Sequence, residues 1–235
     1  MKLPLEDTFI SWSIAPSRMD ELWAAGWWYL GPIFFRRAFI EWSGRLAPLQ
    51  HLRVDLSRHE LSDSQCRVLR RNRDLRVEFQ TPRIDAERQA LFDRHKTRFL
   101  EGIPRGLEDF LGPMPATNPV PTLEVAIYDG DRLVAMSYLA TGGRCVASLY
   151  CAFEPSESRR SLGIFTLLLE LDWAKRNGCV FHYPGYALLE PSPMDYKKTL
   201  SGLEVYDWGR SWKSFPRVTR RPARGPVLDL PSDAS

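Results

Sequence analysis

An α+β fold with a mixed, largely antiparallel sheet is what this chain predicts, on three observations. Residues 123–153 hold three runs rich in β-branched and aromatic side chains, joined by Asp129-Gly130-Asp131 and Thr141-Gly142-Gly143, the pattern of an antiparallel meander. A helical stretch over 162–176, closed by Asn177-Gly178, follows and leads into a further strand. Residues 103–121 carry five prolines and read as a connection. The connection divides the chain into a smaller α+β N-terminal domain, 1–112, and a C-terminal domain, 113–208, with a basic, proline-rich tail over 209–235.

The elements follow in order. Pro16-Ser17 opens a short helix, with Ser17 able to cap it, Asp20 and Glu21 in its first turn and Gly26 closing it. The aromatic stretch 27–42 splits into strand-like pieces at Gly31-Pro32, and 51–56 alternates as another strand. Ser62 with Gln65 three residues on forms a capping box for a basic helix ending near Asn72. Residues 76–80 alternate as a strand and Thr81-Pro82 ends it, after which 85–100 read as a helix. In the C-terminal part the strands run over 123–128, 133–139 and 145–153, Ser161 can cap the helix 162–176, and 179–183 is the last strand. Three antiparallel strands, a helix and a further strand resemble the core of the acetyltransferase-like fold.

Composition limits the function classes. At 235 residues and 44% hydrophobic, the chain can bury one large core or two modest ones. The apolar run 164–169 is interrupted by Thr166 and followed by Glu170 and Asp172, far short of the roughly 20 apolar residues of a membrane span. Glu6 and Asp7 stand where a signal peptide needs an apolar stretch, so a cytoplasmic location is expected. The four cysteines form no CxxC pair and the four histidines no HxxxH pair, so reduced structural thiols and no metal site are expected. Net charge is only +3, yet Arg67, Arg70, Arg71, Arg73 and Arg76 face the single acid Asp74, and 209–224 holds six basic residues and no acid. Two such clusters suit a polyanion; a solvated helix face and a disordered tail are the plainer reading.

The most site-like segment is 181–198. His182-Tyr183-Pro184-Gly185-Tyr186 sets polar aromatics around a glycine, where backbone can approach a ligand. Pro191 and Pro193 then stiffen the chain before Met194, Tyr196, Lys197 and Lys198. An aromatic pocket with a cation at its rim suits a nucleotide end or a carboxylate, while half-buried packing tyrosines and surface lysines are the alternative. No Ser-His-Asp or Cys-His pattern is present.

These residues resemble the motifs of the aminoacyl-tRNA-protein transferases, the arginyl- and leucyl-transferases that modify protein N-termini. The family's Ser-Leu-Gly at the start of a long helix is matched by Ser161, Leu162 and Gly163, its Tyr-x-Gly-Tyr by Tyr183, Gly185 and Tyr186, and its Met-x-Tyr-Lys by Met194, Tyr196 and Lys197. Tyr150, Phe153 and Pro155 match the stretch before that helix. Its arginine-rich N-terminal segment is matched by Ser64, Gln65, Arg67, Val68, Leu69, Arg70, Arg71, Asn72, Asp74 and Leu75, and a later Arg-His pair by Arg94 and His95. The resemblance covers roughly residues 20–208.

It implies transfer of leucine or arginine from aminoacyl-tRNA, the co-substrate, to the amino group of an acceptor protein, peptide or small molecule, with no further cofactor. Catalytic roles then fall to Tyr183, Tyr186 and Lys197, substrate binding to Tyr150, Ser161, Gly163, Gly185, Met194 and Tyr196, and the tRNA backbone to Arg67, Arg70 and Arg71. Family members carry N-terminal cysteines tied to metal or iron-sulfur binding; none precedes Cys66 here, so a cysteine-bound cluster is not expected. Two rivals stand beside this reading. An acyl-CoA-dependent N-acyltransferase would need a second small residue where Phe165 stands after Gly163. A non-catalytic relative that binds RNA or protein is the other.

Overall fold

The computed structural model describes residues 7–99 and 105–216. Its N-terminal elements are β1 (Asp7–Ile10), α1 (Pro16–Ala24), β2 (Trp28–Leu30), β3 (Ile33–Arg36), β4 (Phe39–Trp42), β5 (Arg45–Asp55), α2 (Asp63–Arg71), β6 (Arg76–Gln80) and α3 (Ala86–Lys96). After a short α4 (Glu108–Leu111) come β7 (Thr122–Asp129), β8 (Arg132–Thr141), β9 (Cys145–Phe153), α5 (Leu162–Arg176), β10 (Phe181–Leu188), β11 (Leu203–Asp207) and β12 (Ser211–Ser214).

The expected meander is present: β7, β8 and β9 pair antiparallel in succession, and β10 returns beside β9 in parallel after α5. The main sheet has the order β12-β11-β5-β10-β9-β8-β7-β6, with β4 hairpinned onto β5. The boundary drawn at residue 112 therefore runs through a shared sheet. Strands β5 and β6 precede it in sequence, yet β5 lies between β10 and β11 and β6 forms the edge beside β7. Local alternation can identify β5 as a strand, but its neighbours come from the far end of the chain.

Each face of the sheet is covered. On one, α5 buries Phe165, Leu168 and Leu169 against Leu52, Val54, Val125 and Val146, joined by Val68 and Leu69 of α2. On the other, α1 and the small sheet β1-β3-β2 bury Trp23, Trp28 and Phe34 against Ala140, Ala147 and Tyr183. Burying each large side chain contributes about 1.5–3 kcal/mol.

The helix starts depart from expectation in two places. Ala15, with Pro16 in the first turn, caps α1, and Ser17 lies inside the helix. Proline's fixed φ suits that first turn. Asp20 instead accepts from the N–H groups of Arg144 at 2.7 Å and Cys145 at 3.2 Å, which docks α1 on the β8–β9 turn. Ser161 occupies the cap position of α5 at φ 57° and makes no side-chain cap bond. The Ser62–Gln65 capping box is present in both directions, at 3.3 and 2.8 Å.

Other boundaries also move. Helix α3 ends at Lys96, and residues 100–104 of the expected helix and connection lie outside the described residues. Strand β10 begins at Phe181 and runs through Pro184 to Leu188, because a bulge between His182 and Gly185 accommodates the proline that cannot donate to a ladder. The tail begins with structure: β12 pairs with β11, and Trp212 donates from Nε1 to Ala24 O at 2.8 Å. Its aromatic anchor overrides the basic, proline-rich composition; residues 217–235 lie outside the described residues.

One buried ion pair fixes α3 to the sheet. Arg88 and Glu124 of β7 are both fully buried, and Arg88 Nε donates to the two carboxylate oxygens at 2.7 and 2.9 Å, while Nη1 reaches Asp85 at 2.7 Å. Removing one partner strands the other charge in the core. Arg88→Met is expected to lower stability by about 3–5 kcal/mol, read as a fall in the urea midpoint, with Glu124→Gln in the same chain recovering part of the loss.

Candidate active site

Strands β9 and β10 pair only where Phe181, His182 and Tyr183 face Cys145, Val146 and Ala147. Beyond that point they part. On β9 the register with β8 shifts between Ser148 and Tyr150, and on β10 the bulge falls between His182 and Gly185. Bulges bend and twist a strand, and two of them facing each other split the sheet. The result is an opening at the carboxyl ends of two parallel strands, where β9 turns toward the start of α5, the usual place for a ligand in such sheets.

A split leaves backbone groups without a ladder. Leu189 donates its N–H to Pro48 O at 3.1 Å on the β5 side, so by alternation the carbonyls of Tyr186 and Leu188 point to the side that β9 has left. A 3-10 turn, Asp195–Thr199, covers that edge. Lys197 Nζ donates to Tyr186 O at 3.2 Å and Lys198 Nζ to Leu188 O at 2.6 Å. Lys198 is also paired with Asp195 at 2.9 Å.

Gly185 has φ +89°, and a Cβ there would meet Lys197 Nζ at 3.4 Å and the Trp28 ring at 3.7 Å. The ammonium of Lys197 has lost most of its solvent, which pushes its pKa down to about 8, while the Glu170 carboxylate and the Cys151 thiol push it back upward.

The α5 wall of the opening is polar. Cys151 Sγ lies 3.2 Å from Thr166 Oγ1, and burial pushes the thiol up to about 12. Four residues along α5, buried Glu170 accepts from Ser148 Oγ through Oε2, and His182 Nε2 lies 3.3 Å from the same oxygen and 3.1 Å from Ser148 Oγ. The far wall is aromatic: Tyr150 stacks on Phe110 with centroids 4.1 Å apart. Helix α3 holds the end of β9, since His95 Nδ1 lies 3.0 Å from Phe153 O and 3.1 Å from Phe153 N and Arg94 pairs with Glu154 at 2.7 Å. Burial pushes His95 down to about 4, so its imidazole is neutral. Just past α3, Arg98 lays its guanidinium over the Phe153 ring at 4.5 Å.

Of the sequence-predicted residues, Gly185, Tyr186, Tyr196 and Lys197 come together, with Lys197 Nζ 6.0 Å from each tyrosine ring. Met194 packs beside Tyr196 on the α5-side core, and Tyr150 lines the β9 side. Ser161 and Gly163 start α5: Ser161 O accepts from Ile164 and Phe165 at 3.0 Å, and Gly163 lacks a Cβ that would lie 3.0 Å from the Phe153 ring. Tyr183 lies apart from Lys197, buried between Trp23 and Trp212 at 5.7 Å each. Arg67, Arg70 and Arg71 are exposed on α2. That helix is tied to the turn before α5 by Arg71 Nη1 to Arg159 O at 2.5 Å, Asn72 Nδ2 to Arg160 O at 2.9 Å and the Arg160–Asp74 pair at 2.9 Å.

Sequence reading missed Ser148, Glu170 and Arg98, and singled out His182 only as part of the site-like strand. One signal was available for Glu170: it shares the buried stripe of α5 with Thr166, an unusual place for a carboxylate without a partner. Cys66, Cys145, Cys151 and Cys179 are free thiols, and no group of three or more His, Cys, Asp or Glu residues among those described could hold a metal ion. No helix among the described residues is long and apolar enough to cross a membrane.

The family model "Arginine-tRNA-protein transferase, C terminus" matches residues 77–207. The aspartate/glutamate leucyltransferase of Stenotrophomonas maltophilia (strain K279a) is 29% identical over 172 residues, covering 70% of this chain and 68% of its own. That of Shewanella oneidensis is 31% identical over 167 residues, covering 68% of each. Among solved structures, a domain named as the C-terminal domain of a lysylphosphatidylglycerol synthetase from Agrobacterium fabrum is 18% identical with a TM-score of 0.48, over 79% of this chain and 56% of that one, a likeness too distant to bear on activity. A family model that spans more than half of the 235 residues, over the strands and helix that build the opening, shows that the chain belongs to the arginine-tRNA-protein transferase family.

Proposed function

We propose that this protein transfers leucine from leucyl-tRNA to the α-amino group of acceptor proteins that begin with aspartate or glutamate. As a member of its family it is an aminoacyl-tRNA-dependent transferase. The choice of leucine and of acidic acceptors rests on the relatives, which are named for both. The observation that carries the reading is the split between β9 and β10, with Lys197 at its edge.

The ester on the terminal adenosine is already activated, so the protein mainly orients it and handles one proton. The acceptor nitrogen bonds to the ester carbonyl carbon, and the bond from that carbon to the 3′-oxygen breaks. Lys197, neutral in part near pH 8, takes the proton of the attacking amine and returns it to the departing 3′-oxygen. Tyr186 and Tyr196 flank the amine, and Tyr150 with Phe110 gives the aminoacyl-adenosine an aromatic wall. Arg98 at the rim suits the acceptor's carboxylate. The α2 arginines beside the α5 start suit the tRNA backbone. No cofactor beyond the tRNA is needed, and the reaction belongs in the cytoplasm, where charged tRNA is held.

Radiolabelled leucine from leucyl-tRNA is expected to enter peptides beginning with Asp or Glu, and not Lys or Arg, in a ribonuclease-sensitive reaction; labelling from arginyl-tRNA alone would overturn the donor. Lys197→Arg keeps a donor for Tyr186 O but cannot become neutral, so it is expected to fold and to lose transfer about 100-fold or more. In the wild type, kcat/KM should rise with pH through about 8, because the neutral amine accumulates as pH passes the lowered lysine pKa. Arg67→Ala with Arg70→Ala should weaken tRNA binding and flatten its dependence on salt, by a slope change of about 1 per lost phosphate contact.

A further inference from the structure

The polar trio behind Lys197 has no part in the chemistry above. Glu170 is 1% exposed and His182 fully buried, in a sheet-and-helix interface that is mostly apolar. Both of its contacts fall on one carboxylate oxygen: Ser148 Oγ donates to Oε2, and His182 Nε2 lies 3.3 Å from it. His182 Nδ1 has no hydrogen-bond partner among the described residues. A buried carboxylate and a buried imidazole with unused capacity are costly unless they serve a neighbouring charge.

The trio also sits at the split. Ser148 is the residue after the last β9 position paired with β10, His182 belongs to the last pairs on β10, and Gly185, which faces Lys197 Nζ, follows three residues later.

We infer that Glu170 is a positioning residue for the transfer reaction: fixed by Ser148 and His182 at the root of the split, it steadies Lys197 as that amine receives and returns the proton. The inference rests on the reading of Lys197 given above. Charge has to appear on Nζ when the acceptor's proton arrives, in a place with little water, and a fixed carboxylate stabilises it without moving. The groups acting on Lys197 are Glu170 from α5 and Cys151 from β9, together with the Tyr186 carbonyl and ring from β10 and Tyr196 from its own turn. Burial keeps the thiol and Tyr196 uncharged through the neutral range, so Glu170 is the one carboxylate in that set.

The sign is specific. A nearby carboxylate favours the ammonium, so its removal lets Lys197 lose its proton at lower pH. With leucyl-tRNA and a peptide beginning with Glu, the rising limb of kcat/KM in Glu170→Gln is expected to move to lower pH by about half to one pH unit. Ser148→Ala, which takes a hydrogen-bond donor from the carboxylate and concentrates its charge, is expected to move the limb the other way and serves if Glu170→Gln does not fold. Limbs that coincide with the wild type in the folded variants overturn the inference and leave the trio a packing feature. Lys197 can be titrated separately, by the 13Cε signal of 13C-lysine-labelled protein compared with Lys197→Arg. That signal must shift with Glu170→Gln even if no transfer is seen. An absent transfer with a shifted titration refutes the proposed reaction and not the coupling; an active enzyme with an unshifted titration refutes the coupling alone.

Discussion

The rest of the molecule is arranged around the backbone cost of splitting a sheet. A carbonyl left without a donor in a half-buried place costs about 1–3 kcal/mol, and the parting of β9 from β10 exposes Tyr186 O and Leu188 O to that cost. The turn after β10 meets it with two consecutive lysines, each long enough to reach across the gap. This accounts for two lysines in succession at so short a distance after β10: Asp195–Thr199 has to return over the edge just built. It also fixes where the Lys197 amine stands. A lysine that repairs an open strand edge lies where the two strands part.

The surroundings keep the split from closing. Strand β10 is held on its other side by β5, along Gly185 to Leu188, while β9 is held by β8 and at its end by His95 and Arg94 of α3. The Arg88–Glu124 pair anchors α3 in turn, so its buried charges bear on the width of the opening through α3 and the end of β9. The basic helix is placed by the same logic. Its apolar residues Val68 and Leu69 join the α5 core, and Asn72 and Asp74 take hold of the turn before α5. A sequence-distant arginine face is thereby set at the start of the helix that walls the opening.

How much of this was legible follows from the range of each interaction. Helix α5 was read to the residue because its start, apolar run and Asn-Gly stop are all local, and the α2 capping box spans three residues. The place of β5 between β10 and β11 was not legible, because pairing partners more than a hundred residues apart leave no mark on alternation. At the site, Gly185, Tyr186, Tyr196 and Lys197 share one short segment and were found by their residue types. Ser148, Glu170 and His182 come from three elements and meet only in the fold. Tyr183 shows the opposite limit: its neighbours in sequence suggest a pocket, yet strand alternation and the bulge turn it to the face covered by α1.

A lysine held in this position carries a pH-dependent cost that bears on why the trio is there. Lowering the pKa from the usual lysine range to about 8 makes the folded state pay about 3 kcal/mol while both states are protonated. The sign runs as for any depressed base: the cost is full below pH 8 and fades as pH rises toward the pKa of an unfolded lysine. A methionine of similar length would avoid it but would leave Tyr186 O without a donor, and an arginine would satisfy that carbonyl without ever offering a neutral nitrogen. Only lysine does both. Bringing a buried carboxylate within its field limits how far the pKa falls, so that the ammonium is not lost altogether at neutral pH. The burial of Glu170 and the burial of Lys197 are then two halves of one electrostatic compromise, in which neither charge is comfortable alone and the amine is left able to change its protonation near pH 8.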